Sequence, residues 1–182
     1  GPGDLNWQRI IPETIKHVLH NEEPLVRSDG KFIRDYFFVR DAANGYLRIA
    51  EELHRPEIMG QPFNLSTGNG KTVLEIIDVL LKAMGRGDLA PKILNEAKAE
   101  IHEQTLSSEK ALRMLGWQPT FTLEEGMEET VDWYRRYFEK KHGISASPRS
   151  SMVAPAVVVP HLPVIQPTPA VSAAPAGNPV PP

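Results

Sequence analysis

Two arginines, one asparagine and a short alternating polar stretch are the residues of this 182-residue chain whose types and spacing bear on chemistry. Arg34-Asp35-Tyr36 sits between a turn signal and an apolar run. An arginine at a strand edge offers a planar fork of donors that fits a phosphate. The same side chain is equally suited to a surface ion pair with Asp35 or Asp41, which contributes little. Arg9, just ahead of an apolar helix start, is a second cation, and its neighbours alone mark it as a solvated surface residue. Asn64 stands in the middle of Phe63-Asn-Leu65. Asparagine is depleted in strands and a buried amide must find partners, so Asn64 is either a ligand contact or a satisfied structural amide. Glu100, His102 and Gln104 alternate along one extended segment and share a face; that face either reads hydroxyl groups of a ligand or meets solvent.

Other chemistries find no support. Gly68-Asn-Gly70 follows an apolar run and precedes a helix pattern, but it lacks the third glycine and the spacing of a dinucleotide cradle; it reads as a strand-to-helix turn. There is no Walker A string, no G-x-S-x-G and no H-E-x-x-H, and the 6 histidines show no metal-ligand spacing with a carboxylate. The absence of cysteine excludes a disulfide scaffold, a zinc finger and a thiol nucleophile; it fits a reducing, cytoplasmic setting. A net charge of −3 and a pI near 6.1 argue against nucleic acid as a partner. No apolar run reaches the length of a membrane span, so no membrane partner is expected.

These residues must be positioned by short elements. Helical periodicity predicts five helices. The first covers about 12–20, with Ile11, Ile15, Val18 and Leu19 on one face. The second starts on Asp41 as N-cap, with Ala43, Tyr46, Leu47 and Ala50 inward. The third starts on Thr72, where Thr72-Val-Leu-Glu75 is a capping box, and stops at Gly85. The fourth covers 107–115 and stops at Gly116. The fifth starts on Thr122, capped with Glu125, and places Leu123, Met127, Val131, Tyr134 and Phe138 inward. Leu25-Val26, Tyr36–Val39, Phe63–Leu65 and Ile93-Leu94 read as short strands, and Ser28-Asp-Gly-Lys31 as a turn able to close a hairpin. Trp117, Trp133 and Tyr137 read as packing residues.

Ten of the 17 prolines fall between Ser147 and Pro182, a stretch with one formal charge and no aromatic residue. Such a segment cannot bury enough apolar surface to offset its ordering entropy. Residues 144–182 are therefore expected to be a disordered proline-rich tail, serving as a linker or as a ligand for a proline-recognising domain. Residues 1–143 are expected to form the folded part, an α/β layout with very short strands.

Four motifs in order carry a resemblance: Gly1-Pro-Gly3; Arg34-Asp-Tyr-Phe-Phe-Val-Arg-Asp41; Phe63-Asn-Leu-Ser-Thr-Gly68 with Thr72-Val-Leu-Glu75; and Leu115-Gly-Trp-Gln-Pro119 with Leu123-Glu-Glu-Gly126. Over roughly residues 1–140 the chain resembles the C-terminal half of the NAD-dependent epimerase/dehydratase family, the extended short-chain dehydrogenases/reductases. Within that family residues 1–12, Arg27-Ser-Asp-Gly-Lys31 and 100–110 are most similar to the CDP-glucose 4,6-dehydratases. The resemblance implies the substrate-binding portion of an extended Rossmann-type enzyme. NAD and the Tyr-x-x-x-Lys pair would belong to a preceding half, so no catalytic residue is assigned here. It implies a nucleotide sugar as ligand, with Arg34 on the diphosphate, Arg9 as second cation and Asn64 assisting. Leu25, Val26 and Arg27 would border the base, and Glu100 and Gln104 would complete the substrate site. Many epimerases carry Arg-x-x-Asp where this chain has Glu100-Ile-His-Glu103, a departure that favours the cytidine-type dehydratase. A UDP-sugar 4-epimerase fragment and a catalytically inactive binding module are the alternatives. The parent is expected to be a homodimer, and helices one and two to expose apolar surface in the isolated chain.

Overall fold

The computed structural model describes residues 1–96 and 100–143; the expected tail lies outside the described residues. The described elements are α1 (Ile10–Leu19), β1 (Leu25–Val26), β2 (Ile33–Arg34), α2 (Val39–Glu52), β3 (Lys71–Thr72), α3 (Val73–Met84), β4 (Lys92–Ile93), β5 (Glu103–Gln104), α4 (Glu109–Leu115) and α5 (Leu123–His142). This is an α/β fold built mainly of helices. The strands form two small sheets. β1 pairs parallel with β4; β2 is central in the other, antiparallel to β3 and parallel to β5.

The helix starts follow from local chemistry. Thr72 and Thr122 each accept from the backbone N–H three residues on, while Glu75 and Glu125 reach back to the capping residue. Gly85 and Gly116 end α3 and α4 in the left-handed conformation that glycine adopts without penalty. α3 is the centre of the main core. Ile76, Ile77, Leu80 and Leu81 are buried among Ile15 and Val18 of α1 and Met127, Val131, Tyr134 and Phe138 of α5. Each such side chain contributes about 1.5–3 kcal/mol by leaving water. A smaller cluster gathers Ile58, Ala111, Leu115 and Trp117.

Several expectations are corrected. α2 starts at Val39, not at an Asp41 cap. Asp41 is wholly buried, where its carboxylate accepts from Thr120 N (2.9 Å), Thr120 Oγ1 (2.8 Å) and Phe121 N (3.2 Å). That capture turns α2 so that Asp41 and Gly45 face inward. The face predicted to be inward is exposed, with Tyr46 at 72% and Leu47 at 61%. α1 carries Ile15 and Val18 on one buried face as predicted, and so does not expose the apolar surface expected of it. Tyr36–Val39 is not a strand, because pairing stops at Arg34 and Val39 opens α2; Phe63–Leu65 has no strand partner. No hairpin forms at 28–31. Ser28 and Asp29 do make the expected turn bonds to Gly30 N and Lys31 N, but β1 and β2 go to different sheets.

An exposed apolar helix face promotes association. The 182-residue chain is expected to self-associate at micromolar concentration, and Leu47→Glu to reduce this, by sedimentation velocity. A wild-type chain that stays monomeric with a sharp two-state melt would contradict the expectation.

The Tyr134 hydroxyl donates to the Asp4 carbonyl and ties the N-terminal segment to α5. Burial, with the Asp4 charge adding to it, pushes the Tyr134 phenol up to about 12 from its ordinary 10. The folded value exceeds the unfolded one, so this contribution is complete below pH 10 and disappears as pH rises from 10 towards 12. Denaturation midpoints of the wild type are expected to fall across that window, and those of Tyr134→Phe to fall less. Parallel curves would contradict it.

Candidate functional site: a pocket between α1 and the two sheets

The first turn of α1 runs from an N-cap at Arg9 into Ile10 and Glu13. β1 ends on Val26, the 27–31 turn follows, and β2 delivers Arg34. Gly30 makes the turn possible: its φ is +82°, and a Cβ there would stand 2.6 Å from Leu74 Cγ. Together these segments enclose a pocket of about 220 Å³. Leu25, Val26, Phe32 and Val73 supply apolar wall, and Arg27, Arg34, Glu13 and Glu100 supply charge.

Arg34 is oriented by its own surroundings. Its Nη1 donates to Ile33 O at 2.8 Å, and Nη2 stands 3.6 Å from Glu100 Oε2. The guanidinium lies 5.9 Å from the centre of the Phe32 ring, and its side chain is 25% exposed. A fixed guanidinium with donors left over is suited to an anion that replaces the loose Glu100 contact. Arg27 is held differently: Nη2 donates to Glu13 Oε1 at 2.6 Å. Burial pushes the Tyr36 hydroxyl above its ordinary value, against the pull of Arg34. Tyr36 therefore enters the pocket as a neutral donor.

Asp35 points away from the pocket and secures the next segment. It accepts from Ser66 Oγ, from Thr67 Oγ1 (2.5 Å) and from Gly68 N (3.0 Å). Burial pushes its carboxyl up, but these donors outweigh it and hold it below its ordinary value. The clamp therefore weakens only in acid.

The structure thus brings five of the predicted residues together: Leu25, Val26, Arg27, Arg34 and Glu100. Three stand apart. Arg9 does not line the pocket and pairs with Asp4 at 3.0 Å. Asn64 is exposed in an irregular segment, because the strand that would have buried it does not form. Gln104 pairs with Arg34 in sheet register but is exposed and does not line the pocket. Sequence reasoning missed Glu13, Gln8, Ser28 and Phe32, and it took no chemistry from Tyr36. The one available signal for Glu13 was its place in the first turn of an otherwise apolar helix start.

The described residues do not form a dinucleotide site. The Gly-x-Gly that precedes a helix, at 68–70, leads into α3, whose first donors are all used. Thr72 N goes to Glu75, Val73 N to Phe32 O, Leu74 N to Gly30 O and Glu75 N to Thr72 Oγ1. A pyrophosphate would find no free N–H there. Among the described residues, no group of three or more His, Asp or Glu side chains is placed to hold a metal ion. None of the described helices is long and apolar enough to cross a membrane.

Comparison with known proteins places this geometry. Residues 1–65 match the NAD dependent epimerase/dehydratase family. A UDP-glucose 4-epimerase of Halalkalibacterium halodurans is 36% identical over 121 residues, covering 64% of this chain and 34% of that protein. A dTDP-glucose 4,6-dehydratase of Neisseria gonorrhoeae is 27% identical over 140 residues, covering 70% and 39%. Among solved structures, the UDP-glucose 4-epimerase of Thermotoga maritima with UDP-glucose superposes with a TM-score of 0.62 at 30% identity, over 72% of this chain and 40% of that one. The dTDP-glucose 4,6-dehydratase of Bacillus anthracis in complex with NAD gives a TM-score of 0.61 at 22% identity, over 73% and 41%. The fold is therefore that of part of a Rossmann-type epimerase or dehydratase. The relatives support the epimerase/dehydratase family for this chain, and they include both 4-epimerases and a dTDP-glucose dehydratase. The chain spans about a third of the length of the curated relatives it matches.

Proposed function

We propose that the pocket binds the nucleoside diphosphate part of a nucleotide sugar. The chain would then be the substrate-binding half of an NAD-dependent nucleotide-sugar 4,6-dehydratase of the CDP-glucose type. The observation that carries this reading is the placement of Arg34, with donors to spare, in one pocket with Arg27 and an apolar wall. A diphosphate needs fixed donors at one end, and a base needs an apolar slot at the other. The proposal assigns the diphosphate to Arg34 and the base to Leu25, Val26 and Arg27. The cytidine-type dehydratase is supported by the resemblance of residues 1–12, 27–31 and 100–110. NAD, the redox step and a homodimer interface are assigned to the rest of a longer protein.

A second reading, a UDP-sugar 4-epimerase fragment, is favoured by the 36% identity to a UDP-glucose 4-epimerase. Calorimetric titration of the chain with CDP-glucose and UDP-glucose tests the shared claim. Saturable binding of at least one, weakened by free nucleoside diphosphate as competitor, is the expected result. No binding of either would overturn both readings.

A further inference from the structure

The Glu13–Arg27 pair has no role in holding a diphosphate, since Glu13 brings negative charge into the pocket. A surface pair would need no explanation, but this carboxylate is buried: its side chain is 11% exposed, against 51% for Arg27. Burying a carboxylate costs free energy unless its oxygens are bonded. One oxygen, Oε1, takes Arg27 Nη2 at 2.6 Å. The other accepts from no described residue. Glu13 also lines the pocket, together with Ile10, Leu25 and Val26. The deeper end of the base slot therefore presents an acceptor, and the shallower end presents the remaining donors of Arg27.

The geometry points to Glu13 as the residue that selects the base: it accepts from the exocyclic amine of a cytosine and disfavours uracil. This rests on the reading of the pocket as a nucleoside diphosphate site. A pyrimidine entering such a slot leads with position 4, the atom farthest from its sugar. Cytosine carries an N–H₂ donor there, and a carboxylate is its natural acceptor. Uracil carries a carbonyl oxygen there, which would face a carboxylate oxygen with lone pair against lone pair. Next to position 4, N3 of cytosine is an acceptor and meets the donors of Arg27; N3 of uracil carries a hydrogen and does not. Arg27 is the positioning residue, because its bond to Oε1 fixes the carboxylate at the pocket wall.

Fluorescence or calorimetric titration of the full chain with CDP and UDP tests this. The wild type is expected to bind CDP at least tenfold more tightly than UDP. In Glu13→Gln the carboxamide offers both a donor and an acceptor, so the ratio is expected to collapse to within about twofold. A cytidine diphosphate whose amine bears two methyl groups should bind the wild type no better than UDP, a result that needs no folded variant. Equal affinity of the wild type for CDP and UDP would overturn the inference while leaving the nucleoside diphosphate site standing. So would a CDP preference retained by a folded Glu13→Gln or by the dimethyl analogue. Binding of neither nucleotide would overturn the site itself and the inference with it.

Discussion

Replacing Arg34 by alanine is expected to weaken binding of the nucleotide sugar by about 2–5 kcal/mol, the usual cost of removing one partner of a buried charge pair. The size follows from the surroundings of Arg34. It is three-quarters buried, and its Nη1 is fixed on the Ile33 carbonyl, so little entropy remains to be lost when an anion arrives. The free site carries a weak internal competitor, Glu100, whose carboxylate stands 3.6 Å from Nη2. On the proposed reading a diphosphate would take its place with two oxygens on the guanidinium fork. Arg34→Lys keeps the charge and loses the fork, so its affinity should fall between wild type and alanine. Calorimetry with CDP-glucose reads all three. Affinity unchanged in Arg34→Ala would remove Arg34 from the site.

Asp41→Ala is expected to have the largest effect on stability, about 3 kcal/mol or more. The substitution removes a wholly buried carboxylate and the three hydrogen bonds it accepts from Thr120 N, Thr120 Oγ1 and Phe121 N. A hydrogen bond to a charged group contributes about 1.5–3 kcal/mol. The carboxylate in the first turn of α2 also complements the helix dipole, a smaller gain lost with it. The segment it holds leads directly into Thr122, the N-cap of α5, so the damage would spread to the main core. Asp41→Asn retains one acceptor oxygen and should lie between the two. Urea denaturation followed by the fluorescence of Trp117 reports the change, because the Trp117 indole donates to the Asp41 carbonyl at 3.1 Å. A midpoint matching the wild type would contradict this role.

The same residue explains the main failure of sequence reasoning on the fold. Capping boxes at Thr72 and Thr122 were legible because both partners lie within four residues. Asp41 also looks like a cap from local sequence, but its donors are about 80 residues away. Their pull rotates α2 and turns Tyr46 and Leu47 outward, against apolar periodicity. The strands were hard to read for another reason: each spans two residues, too few for alternation to show. In the pocket, Leu25 and Arg27 were reached through a resemblance, Arg34 also through its place at a strand edge, and their gathering into one cavity came only with the fold. Glu13 left only a faint signal, because Arg27, its partner and the group that makes its burial tolerable, lies 14 residues on. Asn64 misled for the converse reason. A polar residue in an apolar triplet suggests a strand with a purpose, but no strand forms there.

The claim on which the rest depends is that a nucleoside diphosphate sits at Arg34. Two-dimensional ¹H–¹⁵N spectra of the labelled chain, recorded through a titration with CDP-glucose, test it most directly. The account predicts saturable shifts concentrated at Arg27, Ser28, Phe32, Arg34 and Tyr36 and in the first turn of α1. Shifts confined to the turn at Gly68–Gly70, or to the exposed face of α2, would contradict it.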